Sequence, residues 1–302
     1  MTDKNRLISP GLDQDGEYSP PGPEPALYLV ATPIGNLGDI TDRAKKLLQQ
    51  ADVIACEDTR VTGKLCQAWN LKAPMIAYHE HSAARVRPQI IERIKKGEVV
   101  ALVSDAGTPL VSDPGYKLVQ TVIEEGLEVT ALPGASAPTT ALLLSGLPSD
   151  RYFFHGFLPN KSGARKNALD EIKTVPSTLI FFEGPSRLAD SLADMAAVLG
   201  NRPAAVAREL TKKFEEVRRG PLEELADHYR AGGNPKGEIV VVVGAPLVRD
   251  EGLSEEELDA ELKKALEGAS LKDAVASVSG ALGLPRKQVY KRALALIKGD
   301  GG

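Results

Sequence analysis

Cysteine is scarce in this sequence of 302 residues, which contains only Cys56 and Cys66. Two cysteines are too few for a disulfide framework or for a cysteine-based metal site. No apolar run approaches the roughly 18 residues that a membrane span needs, and residues 1–25 lack the apolar core of a signal peptide. These absences predict a cytoplasmic protein with no membrane segment and no metal centre.

Histidine is equally rare, with four residues in the chain. His79 and His81 flank Glu80 at the end of a predicted strand, but no third metal ligand follows nearby, so a polar cleft edge is favoured over a zinc site. The sequence also lacks a G-x-S-x-G elbow and a cysteine–histidine pairing. Covalent catalysis is therefore not expected.

The composition, 42% hydrophobic and 26% charged, is that of an ordinary folded protein whose length suggests about two domains. Residues 1–25 hold five prolines and three glycines, which predicts a disordered tail. The net charge of −4 does not indicate a nucleic-acid binder. The charge is uneven, however, because residues 250–268 are strongly acidic and residues 270–302 are basic, and the basic end is the one local hint of a polyanionic partner.

Predicted strands alternate with predicted helices from residue 26 to residue 244. This alternation predicts an α/β fold made of two α/β domains with mainly parallel sheets, at 26–147 and 148–246. Residues 247–302 are expected to form an acidic linker and a small helix-turn-helix-like module, with helices at 271–282 and 286–297. The alternative for this module is a helical pair that only packs on its own domain.

Two loops that follow predicted strands contain residues suited to binding a ligand. Residues 104–116 (SDAGTPLVSDPGY) follow the apolar strand 99–103, at the position where open α/β sheets bind ligands, and Asp105 can accept hydrogen bonds there. The loop 32–38 (TPIGNLG) matches neither a P-loop nor G-x-G-x-x-G. A glycine- and proline-rich loop without a phosphate cradle suits a large ligand that carries no phosphate, such as S-adenosylmethionine.

Charged residues gather at the predicted strand ends of both halves. They are Glu57, Asp58, Arg60, Asp105, Glu183, Arg208, Glu209 and Lys212. A cleft between two α/β domains would need such groups. The alternative for any one of them is a solvated loop charge.

Several segments closely resemble the tetrapyrrole-methylase superfamily of S-adenosylmethionine-dependent methyltransferases, and within it the branch that methylates cytidine 2′-oxygens of small-subunit ribosomal RNA. They are 27–41 (LYLVATPIGNLGDIT), 57–60 (EDTR), 104–109 (SDAGTP), 112–116 (SDPGY), 132–136 (LPGAS), 156–159 (GFLP), 182–183 (FE), 207–212 (ARELTK) and 236–238 (KGE). The basic C-terminal module also matches this branch. The superfamily more often has Gly-Asp-Pro where this chain has Ser104, Asp105 and Ala106, which leaves the fine geometry of that loop open.

The resemblance implies a homodimer of two-domain subunits, each with S-adenosylmethionine in the cleft between its domains. The cofactor-binding residues that it implies are Pro33, Gly35, Asp105, Ala106, Gly107, Thr108, Ser136, Ala137, Phe182, Leu210, Gly237 and Glu238.

The implied reaction is methyl transfer to a ribose 2′-oxygen, and Glu183 and Lys212 are the candidate catalytic groups for accepting the hydroxyl proton. The candidates for binding RNA phosphates are Arg60, Arg208, Arg286, Lys287, Lys291 and Arg292. The partner would be small-subunit ribosomal RNA. Two alternatives remain: a corrin-precursor methyltransferase, which a co-purifying macrocycle would indicate, and a nucleic-acid-binding regulator that senses S-adenosylmethionine, which tight duplex-DNA binding without turnover would indicate.

Overall fold

The structure is a computed structural model that describes residues 22–112, 115–246, 255–282 and 284–299. The chain divides into two compact units, residues 1–246 and residues 247–302. Most of the tail predicted for residues 1–25 lies outside the described residues, as do residues 113 and 114 of the loop 104–116. No helix among the described residues is long and apolar enough to cross a membrane.

The first half of unit 1 is built on a five-stranded parallel sheet. Its strands are β1 (Leu27–Val30), β2 (Val53–Cys56), β3 (Met75–Ala77), β4 (Val100–Val103) and β5 (Val129–Leu132). They lie in the order β3-β2-β4-β1-β5, and every neighbouring pair is parallel. The order places the carboxyl ends of β1, β4 and β5 side by side, and the loops that leave these three strands therefore meet at one edge.

Helices cover both faces of this sheet. They are α1 (Asp42–Gln50), α2 (Thr59–Ala68), α3 (Glu80–Lys95) and α4 (Tyr116–Glu124). Apolar side chains of α1 and α2 pack on one face, and those of α3 and α4 pack on the other. The sequence pattern did not predict helix α2, although Asp58 caps its first turn by accepting a hydrogen bond from the backbone N–H of Arg60.

The second half of unit 1 holds another five-stranded sheet with helices on one face. The strands are β6 (Tyr152–Phe157), β7 (Thr178–Glu183), β8 (Pro203–Arg208), β9 (Glu216–Pro221) and β10 (Ile239–Val243), and the helices are α6 (Ser162–Ile172), α7 (Leu188–Leu199) and α8 (Leu222–Gly232). The α/β class expected for this half is confirmed.

The expectation of a mainly parallel second sheet is wrong. Its order is β6-β7-β10-β8-β9, and only β6 and β7 are parallel. The reason is the short loop between β8 and β9, residues 209–215, because a parallel pair needs a crossover of about a dozen residues or more. This hairpin reverses the chain, and β10, which follows α8, therefore also runs antiparallel to its two neighbours.

Helix α5 (Ala137–Ser145) joins the two halves. It follows β5 in the chain, yet Ala141 and Leu142 pack into the free face of the second sheet together with Ile180 and Val242. The buried residues of α5 are Pro138, Ala141, Leu142 and Ser145, while Leu143 is exposed. This packing holds the carboxyl edge of the first sheet against the second sheet.

The described residues of unit 2 form a bundle of three helices, α9 (Glu255–Leu266), α10 (Leu271–Leu282) and α11 (Arg286–Gly299). The acidic part of residues 247–302, expected as a linker, forms helix α9 from residue 255 onward. Leu258 and Leu262, four residues apart on α9, are buried against Val275, Val278 and Val289. The many acidic residues around these two leucines led to the prediction of a linker instead of a helix. Helices α10 and α11 lie where the sequence predicts them.

Candidate functional site

Three loops at the carboxyl edge of the first sheet are bound to one another. Thr32 and Gly107 exchange two backbone hydrogen bonds of 2.9 and 3.0 Å, which join the loops after β1 and β4. The Thr108 hydroxyl donates to the carbonyl of Ala135, at 3.1 Å, in the loop after β5. The loop around Asp105 is therefore held on both sides and forms a rigid wall.

The opposite wall comes from the loop after β8, and Gly35 lies where the walls touch. A Cβ atom on Gly35 would clash with Cγ of Lys212 and would lie 3.0 Å from the carbonyl oxygen of Leu210. The adjacent Asn36 N–H donates to the Thr211 hydroxyl at 3.1 Å. Only glycine allows this approach, which fixes the width of the space between the walls.

A cleft of about 420 Å³ lies between the two walls, within the size range of small-molecule sites. Ten of the twelve cofactor-binding candidates line it: Asp105, Ala106, Gly107, Thr108, Ser136, Ala137, Phe182, Leu210, Gly237 and Glu238. Pro33 and Gly35 do not, although Ile34 between them does. The ten candidates that the structure brings together lie up to 133 positions apart in the chain.

Sequence reasoning missed nine further lining residues. They are Ile34, Val111, Ser112, Pro138, Phe157, Gly184, Pro185, Ile239 and Val240. Most of them adjoin a predicted residue, and extending each motif by one or two positions would have found them. Phe157 is different, because its exposure on a strand of predominantly apolar residues is visible only in the structure.

Asp105 presents a carboxylate to the cleft. Its Oδ1 accepts the backbone N–H of Asp58 at 3.1 Å, and its other oxygen accepts no hydrogen bond from the described residues. Burial raises the pKa of Asp105, and the nearby Asp58 carboxylate adds to the rise. A partly buried carboxylate of this kind suits a ligand that donates a hydrogen bond.

Glu183 lies at the cleft floor, but its carboxylate is already engaged. The side chain is 0% exposed and forms an ion pair with Arg187, with Nη2 2.5 Å from Oε1. It also accepts a 2.7 Å hydrogen bond from the backbone N–H of Gly184 and one from the Ser191 hydroxyl. These partners hold the side chain in place; the role of Glu183 as a proton acceptor stays a prediction.

Lys212 does not line the cleft and is also engaged. Its ammonium donates to Glu209 at 2.7 Å and to Glu238 at 2.9 Å. Burial disfavours the charged form, but the hydrogen bonds to the two carboxylates outweigh it and raise the pKa of Lys212. In this arrangement the side chain is a hydrogen-bond donor that ties the β8 loop to the segment before β10, and a role in accepting a proton stays a prediction.

The cationic candidates for RNA contacts differ in their exposure to solvent and in their partners within the fold. Arg60 is 87% exposed and pairs with Asp58, whose pKa it lowers to about 2. Arg208 binds Glu216 at 3.0 Å and the carbonyl of Lys236 at 3.0 Å, and is thus partly used within the fold.

On α11, Arg286, Lys287 and Lys291 are exposed. Arg292 on the same helix is half-buried and forms an ion pair with Asp259 of α9, with hydrogen bonds of 2.6 and 2.7 Å. Arg292 thus holds α9 against α11, which sequence spacing alone could not reveal. Its contact with RNA stays a prediction.

The described residues contain no group of three or more histidine, cysteine or acidic side chains arranged to hold a metal ion. The two cysteines are buried and unpaired, and burial raises the pKa of both thiols. The lining of the cleft combines apolar side chains with the acidic residues Asp105, Glu183 and Glu238.

Two family models match the chain. The model of the Tetrapyrrole (Corrin/Porphyrin) Methylases matches residues 26–226, and the model of the RsmI C-terminal HTH domain matches residues 252–297. Together they cover most of both units, in the order in which the chain presents them.

Relatives and a solved structure agree with these matches. A Mesorhizobium japonicum protein named ribosomal RNA small subunit methyltransferase I is 50% identical over 92% of this chain and 96% of its own length. A protein of the same name from Micromonospora olivasterospora is 45% identical over 88% of this chain and 85% of its own. The fold resembles that of uroporphyrin-III C-methyltransferase from Thermus thermophilus in complex with S-adenosylhomocysteine, with a TM-score of 0.51 and 21% identity over 72% of this chain and 97% of that one.

The matches to the named relatives cover 92% and 88% of this chain. This chain therefore belongs to the tetrapyrrole methylase family and, within it, groups with the proteins named ribosomal RNA small subunit methyltransferase I.

Proposed function

We propose that this protein transfers a methyl group from S-adenosylmethionine to the 2′-oxygen of a cytidine ribose in small-subunit ribosomal RNA. The observation that carries the proposal is the 50% identity, along nearly the full length of both proteins, to a relative named for methylating this RNA. The resemblance of the sequence motifs to the cytidine 2′-O branch supplies the finer specificity. A homodimer in the cytoplasm is part of the same proposal.

The residues of the cleft fit S-adenosylmethionine, which supplies an electrophilic methyl group when bound. Ile34, Phe182 and Leu210 offer apolar surface for a nucleoside, while Asp105 offers an acceptor with one unengaged oxygen. The loops that carry these residues are tied together by hydrogen bonds and are therefore preorganised. No lysine-bearing phosphate loop is needed, since the cofactor carries no phosphate.

Positioning supplies much of the catalysis in this proposal. Methyl transfer requires the attacking oxygen, the methyl carbon and the sulfur to lie in line, and holding reactants in such a geometry can contribute about 7–11 kcal/mol. The close contact at Gly35 and the bound loops fix the two walls, one carrying Asp105 and the other Leu210. The hydroxyl proton must also leave. Glu183 and Lys212 are the sequence-based candidates for accepting it, but the ion pair of Glu183 with Arg187 and the two carboxylate partners of Lys212 favour a structural role for both side chains.

RNA binding is proposed for the exposed cations. Arg60 stands at the amino end of α2 beside the Asp105 loop, and Arg286, Lys287 and Lys291 lie exposed on α11. Arg60, Arg208 and Arg292 already pair with Asp58, Glu216 and Asp259, and these three arginines would contact RNA by exchanging those partners. Contacts of this kind position RNA, while sequence is read from unstacked bases.

The test is transfer of a labelled methyl group to purified small ribosomal subunits that come from cells lacking this gene. We expect label in the RNA with wild-type protein, and none with Asp105→Ala. Parallel reactions contain a tetrapyrrole precursor or naked RNA. Label in the tetrapyrrole alone would contradict the proposal and favour the corrin-precursor reading.

A further inference from the structure

We propose that Phe157 is a stacking surface for the base of the target nucleotide, at the mouth of the cleft. The inference rests on the proposed function and adds a substrate-specificity residue to it. Phe157 lines the cleft and is nevertheless 58% exposed. A large aromatic ring held at a cleft in this way leaves one face open to a partner.

A β-bulge directs this ring toward the cleft. The pairing of β6 with β7 is regular up to Phe154 and shifts by one residue before Gly156, so that Phe157 lies opposite Phe182. In a regular strand, residues 154 and 157 would point to opposite faces. The extra residue brings both rings to the same side, and Gly156 at the shift has a φ of +81°, which favours glycine.

The result is a cluster of three aromatic rings of which Phe157 is the outermost. The ring of Phe182 lies 5.1 Å from that of Phe154 and 5.3 Å from that of Phe157, between ring centroids. Phe154 and Phe182 are half-buried and join the apolar core around α5. Phe182 therefore fits the deeper, cofactor-facing part of the cleft, and Phe157 fits its entrance.

Two arginines hold the segment that carries this ring. Arg187, anchored by Glu183, donates to the carbonyl of Leu158 at 3.4 Å and to the side chain of Asn160. Arg165, buried and paired with Asp194, donates to the carbonyl of Asn160 at 3.1 Å. A fixed backbone next to an exposed ring indicates a preformed surface, which loses little entropy on binding.

The chemistry of the partner follows from the proposed reaction. Reaching a ribose hydroxyl in a folded RNA requires an unstacked nucleotide, whose base must find another surface. Aromatic side chains take this role for any base, because every base has a flat π-face. Phe157 is thus assigned to the base, and the deeper cleft to the cofactor.

The experiment compares Phe157→Ala, Phe157→Leu and Phe157→Trp with wild type. Loss of one base–aromatic stack corresponds to about a 5- to 150-fold change in affinity. We expect the KM for small subunits to rise by that factor in the alanine and leucine variants and to stay near wild type with tryptophan. The Kd for S-adenosylmethionine, measured by calorimetry, should not change. Tyr152→Ala is the matched control, since Tyr152 is an exposed aromatic residue at the other end of the same strand.

A binding assay without turnover separates failure of this proposal from failure of the proposed function. Retention of small subunits by the protein with S-adenosylhomocysteine should weaken in the same two variants. If wild-type protein retains subunits but transfers no methyl group, the proposed reaction is contradicted. The stacking proposal is then still tested by comparing subunit retention between the Phe157 variants and wild type. The stacking proposal is overturned if leucine behaves as wild type, if cofactor affinity falls in parallel, or if Phe157→Ala alters the oligomeric mass.

Discussion

Glu183→Gln separates a structural role of this carboxylate from a role as proton acceptor. The substitution keeps the size of the side chain but removes its charge. In the fold, Glu183 is fully buried and is the anionic partner of Arg187, with further hydrogen bonds from Gly184 and Ser191. The amide leaves the guanidinium without its counter-ion and turns one acceptor oxygen into a donor that faces other donors.

The expected loss of stability follows from this pairing. Breaking a fully buried ion pair by removing one partner costs about 3–5 kcal/mol. Arg187 retains 24% exposure and can recover some hydration, so we expect about 2–3 kcal/mol, below that range. For a unit of this size, each kcal/mol lowers Tm by about 2–4 °C, which gives a decrease of about 4–12 °C.

The assay combines urea and thermal unfolding with methyl-transfer kinetics at a temperature where the variant stays folded. Exposed Glu224→Gln on α8 is the control for the chemistry of the substitution. The double variant Glu183→Gln/Arg187→Gln should lose less stability than the sum of the single losses, because the two residues interact.

The kinetic result decides the role. A lost general base lowers kcat by about 100-fold or more, and we expect Glu183→Gln to fall far short of this. A variant with unchanged stability and a kcat reduced by that factor would refute the structural reasoning and establish Glu183 as the proton acceptor.

Three further substitutions test the cleft and the framework behind it. Gly35→Ala places a methyl group against Lys212; we expect about 1–3 kcal/mol of destabilisation and weaker S-adenosylmethionine binding by calorimetry, and unchanged affinity would show that the wall spacing is not critical. Asp105→Asn should abolish methyl transfer without lowering Tm at neutral pH, because burial raises the pKa of this carboxyl and its charge opposes folding; a large loss of Tm would contradict this. Asp194→Asn should cost about 3–5 kcal/mol by leaving Arg165 buried and unpaired. Burial tends to raise the pKa of Asp194, but the hydrogen bonds of Ser162 and Arg165 lower it overall. The stability that Asp194 contributes is therefore present above its unfolded-state pKa and is lost as the pH falls through its folded-state pKa. In urea titrations from neutral to acidic pH, the free energy of unfolding should fall less steeply in the variant than in wild type.

The sequence was sufficient to predict most of the cleft, because its residues lie in short motifs directly after strands. Asp105, Phe182 and Leu210 follow or end apolar runs, and the alternation of strand and helix brings such positions to one edge. The parallel first sheet followed from the same alternation. The strand directions in the second sheet could not be predicted in this way, because one short hairpin at 209–215 reverses two strands without changing the hydrophobic pattern.

The partners of charged side chains were the least predictable feature. Arg292 has the spacing of an exposed helix residue, yet it pairs with Asp259, 33 positions earlier. The ion pair of Glu183 was easier to anticipate, since its partner Arg187 follows only four residues later in the sequence. Phe157 depends on a bulge, for which an isolated glycine within a strand, Gly156, is the one sequence clue.

Alkaline hydrolysis of the labelled RNA tests the central claim most directly. Base cleaves RNA by attack of the 2′-hydroxyl on the adjacent phosphate, and a methyl group on that oxygen blocks cleavage at one linkage. The account predicts that all transferred label stays in one alkali-resistant dinucleotide that begins with cytidine. Label released in a mononucleotide would place the methyl group on a base and contradict it.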